Sequence, residues 1–332
     1  MGKLNRITLD GETFAARPGQ RLLDAALASG VELPHDCRAG RCGSCLTHVR
    51  SGVTLGGETA QPGHVLACQA MVFSDLDIQI EPTPPVGRIS GRVLRVLDVA
   101  RDIVEVTIAP AEPLDIFPGQ YCRFRFRGYP SRPFSPTAQL TAIREDGYLR
   151  LHIKRVRGGR VTPHLGKTIK AGHHVAIEGP FGHAFLRPSG SERLVLVGSG
   201  TGFAPIWAVA AAALREMPTR AIALIGASRT LEAFYMAAPL ELAKRYPNVS
   251  VRAVVDEITE PWHSVLPGQP TDHLPQLTCG DIVYAAGGPA MVSAVGEAAT
   301  AVGAAFHADP FEPAAPLQES WIESARRWLM AG

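Results

Sequence analysis

Alternating hydrophobic and polar residues at the start of the chain predict a β-hairpin. The runs LNRITL and ETFAA lie on either side of an Asp-Gly pair, the dipeptide that tight hairpin turns favour. A short helix is expected over residues 21–29, and short strands are expected at residues 48–49 and 78–80. Residues 1–82 are therefore predicted to form a small domain in which one helix packs on a sheet.

The middle of the chain shows strand patterns with no convincing amphipathic helix between them. Residues 81–88, EPTPPVGR, hold three prolines and a glycine and predict a linker. Strand-like runs follow at residues 91–99, 103–108, 121–126 and 148–156. This succession predicts an antiparallel β-barrel over residues 88–190.

Strand and helix patterns alternate in the last part of the chain. Strands are predicted at residues 194–197, 221–225, 249–255 and 282–286, and helices at residues 205–216, at residues 231–246 and from Pro289. This alternation predicts a doubly wound parallel sheet over residues 191–315. Apolar residues then share one helical face and predict a helical extension over residues 316–332: Leu317, Trp321, Ala325, Trp328 and Leu329.

Composition narrows the class of protein. The chain of 332 residues is 46% hydrophobic and 19% charged, which predicts packed globular domains. No apolar run approaches the roughly 18 residues of a membrane span, and the start of the chain carries no secretory pattern. We expect a cytoplasmic protein with no membrane partner, whose cysteines are thiols or metal ligands.

Positive charge is concentrated in the middle of the chain. Residues 88–193 carry 18 basic and 9 acidic side chains, although the whole chain has a net charge of only +2. Such a surplus favours a phosphate-bearing cofactor or an acidic partner, and a merely solvated basic surface remains an alternative. A nucleic-acid partner is not expected, because no motif of a known nucleic-acid-binding module is present.

Four of the six cysteines are spaced as metal ligands. Cys37, Cys42 and Cys45 form a C-x4-C-x2-C motif, and Cys68 follows in the segment LACQ. This spacing is that of plant-type [2Fe–2S] proteins. A zinc site or unligated thiols are the alternatives, although zinc sites usually contain two C-x2-C pairs. Cys122 and Cys279 are expected to be buried and to have no redox role.

The motif HDCRAGRCGSC…LACQ resembles the ferredoxin domain of the reductase components of bacterial aromatic-ring dioxygenases, as in the naphthalene and carbazole systems. The two later segments are similar to the flavin and nicotinamide domains of the ferredoxin–NADP reductase superfamily. The resemblance implies a β-grasp ferredoxin domain, an antiparallel β-barrel flavin domain and a doubly wound nicotinamide domain. The order of the domains, with the iron–sulfur domain first, favours FAD over FMN.

The resemblance also implies a set of flavin-binding residues. Arg132-Pro133-Phe134-Ser135 is similar to the family pattern Arg-x-Tyr-Ser, in which arginine binds the diphosphate, the aromatic ring lies against the isoalloxazine and serine reaches N5. A second element, similar to Gly-Gly-x-x-Ser at a helix start, is expected to hold the diphosphate. Together with the strand before it, this second element comprises His152, Ile153, Lys154, Gly158, Gly159, Arg160, Val161 and Thr162.

Nicotinamide-binding residues follow from the resemblance in the same way. The run from Gly198 to Gly202 follows a strand and opens a helix, which is the context that a dinucleotide glycine motif requires. Ala286 stands where the family usually has a cysteine, and Phe311 is expected to cover the flavin as a lid, with core packing as the alternative. The expected contacts are Gly200, Thr201, Gly202, Arg229, Gly287, Gly288, Pro289, Met291 and Phe311.

The resemblance implies an NADH-dependent reductase that carries FAD and a [2Fe–2S] cluster. Electrons would pass from NADH to FAD, then singly through the cluster to a separate Rieske-type or plant-type ferredoxin that feeds a terminal oxygenase of aromatic hydrocarbon catabolism. Ser135 and Phe311 are the residues expected to act at the hydride step. The alternatives are a reductase of a diiron monooxygenase and a non-enzymatic redox sensor or structural module.

Overall fold

The computed structural model describes residues 4–59, 61–143, 146–187, 190–258 and 265–311. Three main sheets follow one another along the chain, as the sequence predicts. None of the helices within these residues is long and apolar enough to cross a membrane. The predicted C-terminal extension lies outside the described residues.

The first sheet is mixed and has one helix packed on it. Its elements are β1 (Asn5–Leu9), β2 (Glu12–Ala16), α1 (Leu22–Ala28), β3 (Leu46–Ser51), β4 (Thr54–Leu55), β5 (His64–Leu66), β6 (Met71–Val72) and β7 (Leu76–Gln79). Five strands pair in the order β2-β1-β7-β3-β5, while β4 and β6 form a separate ribbon. Ile7 and Leu9 point into the core, and Asp10 and Gly11 both adopt positive φ in the hairpin turn. The β-grasp prediction is confirmed.

The second sheet is antiparallel and nearly closed. Its strands are β8 (Gly87–Ala100), β9 (Ile103–Pro110), β10 (Tyr121–Phe126), β11 (Arg132–Phe134), β12 (Pro136–Thr137), β13 (Leu149–Lys154) and β14 (His174–Phe181). They pair in the order β11-β10-β14-β8-β9-β13-β12. The two edge strands, β11 and β12, are consecutive in the chain and are joined by Ser135 alone. The sheet therefore returns on itself at this serine, and the barrel prediction is confirmed.

The third sheet is parallel. Its elements are β15 (Leu194–Ser199), α2 (Phe203–Glu216), β16 (Ile222–Thr230), α3 (Ala237–Ala243), β17 (Val249–Glu257), β18 (Leu266–Pro267), β19 (Ile282–Gly287), α4 (Pro289–Ala301) and β20 (Ala305–Pro310). The strand order is β18-β17-β16-β15-β19-β20. The chain moves outward from β15 in both directions, so the switch point of this doubly wound sheet lies between β15 and β19.

The single helix predicted over residues 231–246 is wrong. The chain instead forms a 3₁₀ turn at Leu231–Ala233 and the seven-residue helix α3. Pro239 supplies the physical reason, because its nitrogen carries no hydrogen and its ring clashes with the carbonyl of Tyr235 in a continuous helix. A helix can therefore begin in this segment only after Tyr235.

Helix α2 joins the parallel sheet to the barrel. Trp207 lies on this helix, is 0% exposed, and stacks on Phe203 with ring centroids 6.4 Å apart. Its indole Nε1–H donates to the carbonyl oxygen of Gln139 in the barrel domain at 2.8 Å. Ile103 and Leu186 from the barrel side share the same hydrophobic core. The barrel and the parallel sheet are therefore packed as one continuous unit.

The Trp207→Phe substitution is expected to destabilise this unit by about 1–3 kcal/mol, because it leaves the half-buried Gln139 carbonyl without its donor and opens a cavity. Urea unfolding of the purified protein measures this cost. Met217→Ala is the matched control, since Met217 is exposed at the end of the same helix and its truncation is expected to change stability by less than about 0.5 kcal/mol. Equal stability of the two variants would contradict the role of Trp207.

Candidate functional site

Two loops of the first domain bring four cysteines together. Cys37, Cys42 and Cys45 lie in the loop between α1 and β3, and Cys68 lies between β5 and β6. The thiols form two pairs, Cys37 beside Cys42 and Cys45 beside Cys68, and Cys42 also acts electrostatically on Cys45. Cys45 and Cys68 are buried, whereas Cys37 and Cys42 are half-buried.

The backbone of the cysteine loop favours a negatively charged sulfur. Burial opposes ionisation of Cys37, but hydrogen bonds from the N–H groups of Ala39, Arg41 and Cys42 outweigh burial and lower the pKa of this thiol. Each of these nitrogens lies 3.4 Å from Sγ of Cys37. Burial raises the pKa of Cys45, so this thiol needs a bound cation to ionise.

The donor set fits a two-iron cluster. Within the described ranges, no three His, Cys, Asp or Glu side chains converge on a single metal ion. A [2Fe–2S] cluster is held by four thiolates, two on each iron, so it needs two pairs of sulfurs rather than a convergent set. Of the remaining cysteines, Cys122 is buried as predicted, whereas the prediction that Cys279 is buried is wrong, because it is exposed in a turn before β19.

The segment expected to hold the flavin ring forms a short strand. Arg132, Pro133 and Phe134 form β11, and Phe134 lies opposite Cys122 of β10. The ring of Phe134 is half-buried, 6.1 Å from that of Phe124. The Arg132 guanidinium donates to the Ser131 carbonyl at 2.9 Å and has no carboxylate partner among the described residues. It is thus free to bind an anion.

Ser135 contacts the third domain. Its Oγ–H donates to Oδ2 of Asp309 at 3.2 Å, although the two residues are 174 positions apart in the sequence. Burial raises the pKa of Asp309 to about 6, and the hydrogen bond from Ser135 offsets only part of that rise. Asp309 is absent from the set of site residues predicted from the sequence. The available signal in the sequence was the pattern Asp309-Pro310-Phe311, an acidic residue two positions before the expected lid residue.

The segment expected to hold a diphosphate contains a single 3₁₀ turn, Thr162–His164, and not the predicted helix start. No described group accepts a hydrogen bond from the backbone N–H groups of Val161 and Thr162, which suits an anionic ligand. A Cβ added at Gly158 would meet nothing within 4 Å, so space for such a ligand is present there. The Thr162 hydroxyl instead accepts from the N–H of Val156 at 2.9 Å.

In the neighbouring strand β13, the backbone rather than the side chains is available for contact with a cofactor. The imidazole of His152 is fully buried, lies 3.5 Å from Glu105 and meets the ring of Tyr235 edge-on. Ile153 is likewise buried, whereas Lys154 is exposed. A contact between a cofactor and His152 or Ile153 would therefore use the main chain. Gly159 and Arg160 continue this segment into the turn.

Glycines at the ends of β15 and β19 meet at the switch point of the parallel sheet. A Cβ added at Gly202 would lie 2.3 Å from the Ala286 carbonyl oxygen, so only glycine permits this close approach. Gly200, with a φ of +53°, and Gly288 face open space instead. The Ser199 hydroxyl accepts from the Gly288 N–H at 3.3 Å. These two glycines leave room for a dinucleotide.

The remaining residues expected to bind nicotinamide surround these glycines. Pro289 opens α4, with Gly288 preceding it and the half-buried Met291 following it. The N–H of Phe311 donates to the Gly287 carbonyl at 2.7 Å, and Thr201 lies in the turn that opens α2. Arg229 is exposed near the carboxyl end of β16, on the same edge of the sheet.

Three family models match successive parts of the chain. Residues 7–73 match the 2Fe-2S iron-sulfur cluster binding domain, residues 97–185 the oxidoreductase FAD-binding domain and residues 196–297 the oxidoreductase NAD-binding domain. The cofactors of this protein are therefore a [2Fe–2S] cluster, FAD and a nicotinamide dinucleotide.

Curated relatives extend over almost the whole chain. The ferredoxin–NAD(P)+ reductase component of the naphthalene 1,2-dioxygenase system of Pseudomonas putida is 30% identical over 89% of this chain and 94% of its own. The reductase subunit of an aromatic O-demethylase from Amycolatopsis is 33% identical over 80% of this chain and 84% of its own.

Solved structures agree with these sequence matches. A cytochrome P450 reductase from Amycolatopsis has a TM-score of 0.69 at 31% identity, and the ferredoxin reductase of carbazole 1,9a-dioxygenase has a TM-score of 0.65 at 25% identity. Each match covers 93% of this chain and 99% of the other. The chain belongs to the family of iron–sulfur flavoprotein reductases that serve as components of oxygenase systems.

The half-buried residue Asp309, whose carboxyl has a raised pKa, is expected to make stability depend on pH. Between the ordinary value of 3.8 and about 6, the native state retains a proton that the unfolded chain has lost. The free energy of unfolding contributed by this group therefore falls as pH rises through this window. Asp309→Asn should accordingly gain more stability over the wild type at pH 7.5 than at pH 5, as measured by urea unfolding.

Ser135→Ala provides the complementary measurement for Asp309. This variant removes the hydrogen bond that favours the ionised carboxyl, so the pH dependence should persist and extend to higher pH. A stability difference between Asp309→Asn and the wild type that is the same at both pH values would contradict the assignment.

Proposed function

We propose that this protein is the NADH-dependent reductase component of an oxygenase system of aromatic catabolism. In this proposal it operates in the cytoplasm and passes single electrons through its cluster to a separate ferredoxin, of Rieske or plant type. One observation carries the proposal: the cysteine loop rests directly on the flavin barrel. The Ser44 hydroxyl, between two of the cysteines, accepts a hydrogen bond from the Gly182 N–H at 2.9 Å.

When bound, the nicotinamide would supply a hydride, FAD would convert the electron pair into single electrons and the cluster would carry one electron at a time. Arg132 and the N–H groups of Val161 and Thr162 are the proposed donors to the FAD diphosphate. Phe134 is proposed to support the flavin ring, where it offers stacking without the hydroxyl of the tyrosine usual in the family.

Ser135 and Asp309 are proposed to control hydrogen bonding and proton position near the reacting ring. Ser135 is fixed by strands on both sides, and its hydroxyl is oriented by Asp309. Because the pKa of Asp309 is raised to about 6, this carboxyl can hold or release a proton near neutral pH. The hydrogen bond also ties the barrel to β20, just before the proposed lid residue Phe311.

Gly200, Thr201, Gly202, Gly287, Gly288, Pro289 and Met291 are proposed to bind the nicotinamide dinucleotide at the switch point. Arg229 is proposed to contact the adenosine ribose or its phosphate. We favour NADH because a relative, the alkene monooxygenase component of Xanthobacter autotrophicus, is named a ferredoxin–NAD(+) reductase, at 31% identity over 62% of this chain.

The acceptor has a second candidate. The aromatic O-demethylase subunit and the cytochrome P450 reductase are both similar to this chain over most of its length. The name of the second favours a cytochrome P450 as the acceptor. A diiron monooxygenase stays the alternative that the sequence raised. A purely structural or sensing module is disfavoured, because complete FAD- and NAD-binding domains accompany the iron–sulfur domain.

The Cys42→Ser substitution separates the two halves of the proposed electron path. Loss of this thiol should abolish NADH-driven reduction of one-electron protein acceptors, because the cluster cannot be held by the remaining thiols. Reduction of ferricyanide, which flavin alone supports, should be retained. Steady-state assays with NADH and each acceptor measure both activities. Equal loss of the two would contradict the proposed division of labour.

A comparison of acceptors tests the proposed partner. The holoenzyme and NADH should reduce purified Rieske-type or plant-type ferredoxins at least tenfold faster than an isolated terminal oxygenase. Reduction of each acceptor is followed from its own visible spectrum under anaerobic conditions. Fast reduction of a cytochrome P450 or diiron oxygenase without any ferredoxin would favour the second candidate instead.

A further inference from the structure

We propose that Asp36 and Glu81 are positioning residues that clamp the first domain, with its cysteine loop, onto the flavin barrel and thereby set the rate of electron transfer between FAD and the cluster. This inference rests on the proposed function and deepens it. The step concerned is the one-electron oxidation of reduced FAD coupled to the one-electron reduction of the cluster. The clamp supplies no redox chemistry and acts only through geometry.

The first contact of the clamp is made beside a cluster ligand. Asp36 precedes Cys37, and its carboxylate accepts hydrogen bonds from Tyr121 Oη at 2.5 Å and from Arg123 Nε at 2.7 Å. A second guanidinium nitrogen, Nη2 of Arg123, lies 2.6 Å from Oδ1 of Asp36. The Asp36 side chain is 9% exposed, so its charge is buried and fully paired. Removing the charge leaves Arg123 without its partner at this contact.

This contact leads directly to the flavin site. Tyr121 and Arg123 both lie on β10, and β11 pairs with β10 so that Cys122 faces Phe134. One hydrogen bond and a few residues of strand therefore separate the residue next to a cluster ligand from the aromatic side chain proposed to support the flavin. A shift of the cysteine loop away from β10 would lengthen this path.

The second contact lies where the linker leaves the first domain. Glu81 accepts from Arg187 through both oxygens, with Nε 3.0 Å from Oε1 and Nη2 2.8 Å from Oε2. His183 Nε2 also lies 2.9 Å from Oε2 of Glu81. The Nδ1 atom of His183 lies 2.8 Å from Nη2 of Arg187, which is consistent with a neutral ring that accepts at Nδ1 and donates at Nε2.

The surroundings of Glu81 hold this second contact in place. The Arg187 guanidinium lies over the ring of Phe185, 4.2 Å from its centroid, and so has a fixed orientation. Burial opposes ionisation of Glu81, but hydrogen bonds from His183 and Arg187 outweigh burial and lower the pKa of Glu81 to about 2. The contact is thus charged over the whole working range of pH.

The backbone of the barrel makes a third contact with the cysteine loop. Ser44 is bonded to the Gly182 N–H, as described above. Gly182 has a φ of +91°, and a Cβ there would lie 3.0 Å from the Tyr121 ring. Three contacts therefore hold the first domain on the barrel: Asp36 and Ser44 from the cysteine loop, and Glu81 from the start of the linker.

Stopped-flow reduction of the holoenzyme by NADH tests the clamp. In Asp36→Asn the reduction of the cluster, followed by its visible absorption, should slow at least tenfold, and in Asp36→Asn with Glu81→Gln it should slow further. Flavin reduction and ferricyanide turnover should stay within twofold of the wild type. Glu241→Gln is the matched control, because it breaks an exposed ion pair of 2.5 Å with Lys244 at the end of α3 in the third domain. This control should leave cluster reduction unchanged.

Two measurements that do not depend on turnover accompany the kinetics. Hydrogen exchange should become faster in residues 36–45 and at Gly182 in the Asp36→Asn holoenzyme, and the midpoint potential of the cluster should stay the same. A slower transfer fully explained by a changed potential would overturn the positioning role. Wild-type exchange and wild-type cluster reduction in the double variant would also overturn it.

A variant on the barrel side shows whether the effect of Asp36→Asn comes from misfolding of the cysteine loop. Tyr121→Phe with Arg123→Gln removes the same hydrogen bonds and leaves the sequence of the loop intact. Slowed cluster reduction and faster exchange in this variant support the clamp, and wild-type values in both measurements overturn it. If NADH does not reduce the wild-type holoenzyme at all, the proposed function fails, and the exchange data alone still decide whether the clamp exists.

Discussion

The one-residue connection at Ser135 constrains the whole arrangement of the site. Strands β11 and β12 are the two edges of the barrel sheet, yet a single residue separates them in the chain. The sheet can satisfy both pairings only by curling until its edges meet, which is how a barrel removes exposed strand edges. Arg132 and Phe134 lie in β11 at the point where the sheet closes. The Ser135 hydroxyl donates to Asp309 of the third domain.

Two interfaces connect the closed barrel with the other two domains. On one side, helix α2 buries Trp207 against the barrel and brings the glycines of the parallel sheet towards it. On the other side, the cysteine loop lies on β10 and on the turn that follows β14. The interface made by α2 is mainly hydrophobic, whereas the interface made by the cysteine loop depends on paired charges. The first brings the glycines of the parallel sheet to the barrel and the second brings the cysteines, so the barrel is the centre of the proposed electron path.

Local features of the site could be predicted from the sequence. The spacing of Cys37, Cys42 and Cys45 lies within one loop, and the glycines after β15 follow a short apolar strand directly, so both signals are contained in a few neighbouring residues. The alternation of strands and helices likewise predicts the three sheets. Their closure and order agree with the predicted fold classes.

Features that depend on distant contacts could not be predicted in this way. Ser135 and Asp309 are 174 positions apart, and nothing near either residue indicates the other. The strand character of Arg132–Phe134 comes from pairing with β10, and the exposure of Cys279 depends on how its turn lies in the fold. The late start of α3, in contrast, could have been predicted locally. Pro239 is a helix-breaking signal within the segment, but the apolar helical pattern around it was given more weight.

An anaerobic titration of the purified protein with NADH, followed by visible absorption, tests the central claim most directly. The account predicts flavin bands together with iron–sulfur bands in the oxidised protein, and NADH should bleach both. A colourless protein that contains zinc, or cluster bands that persist after the flavin is fully reduced, would contradict it.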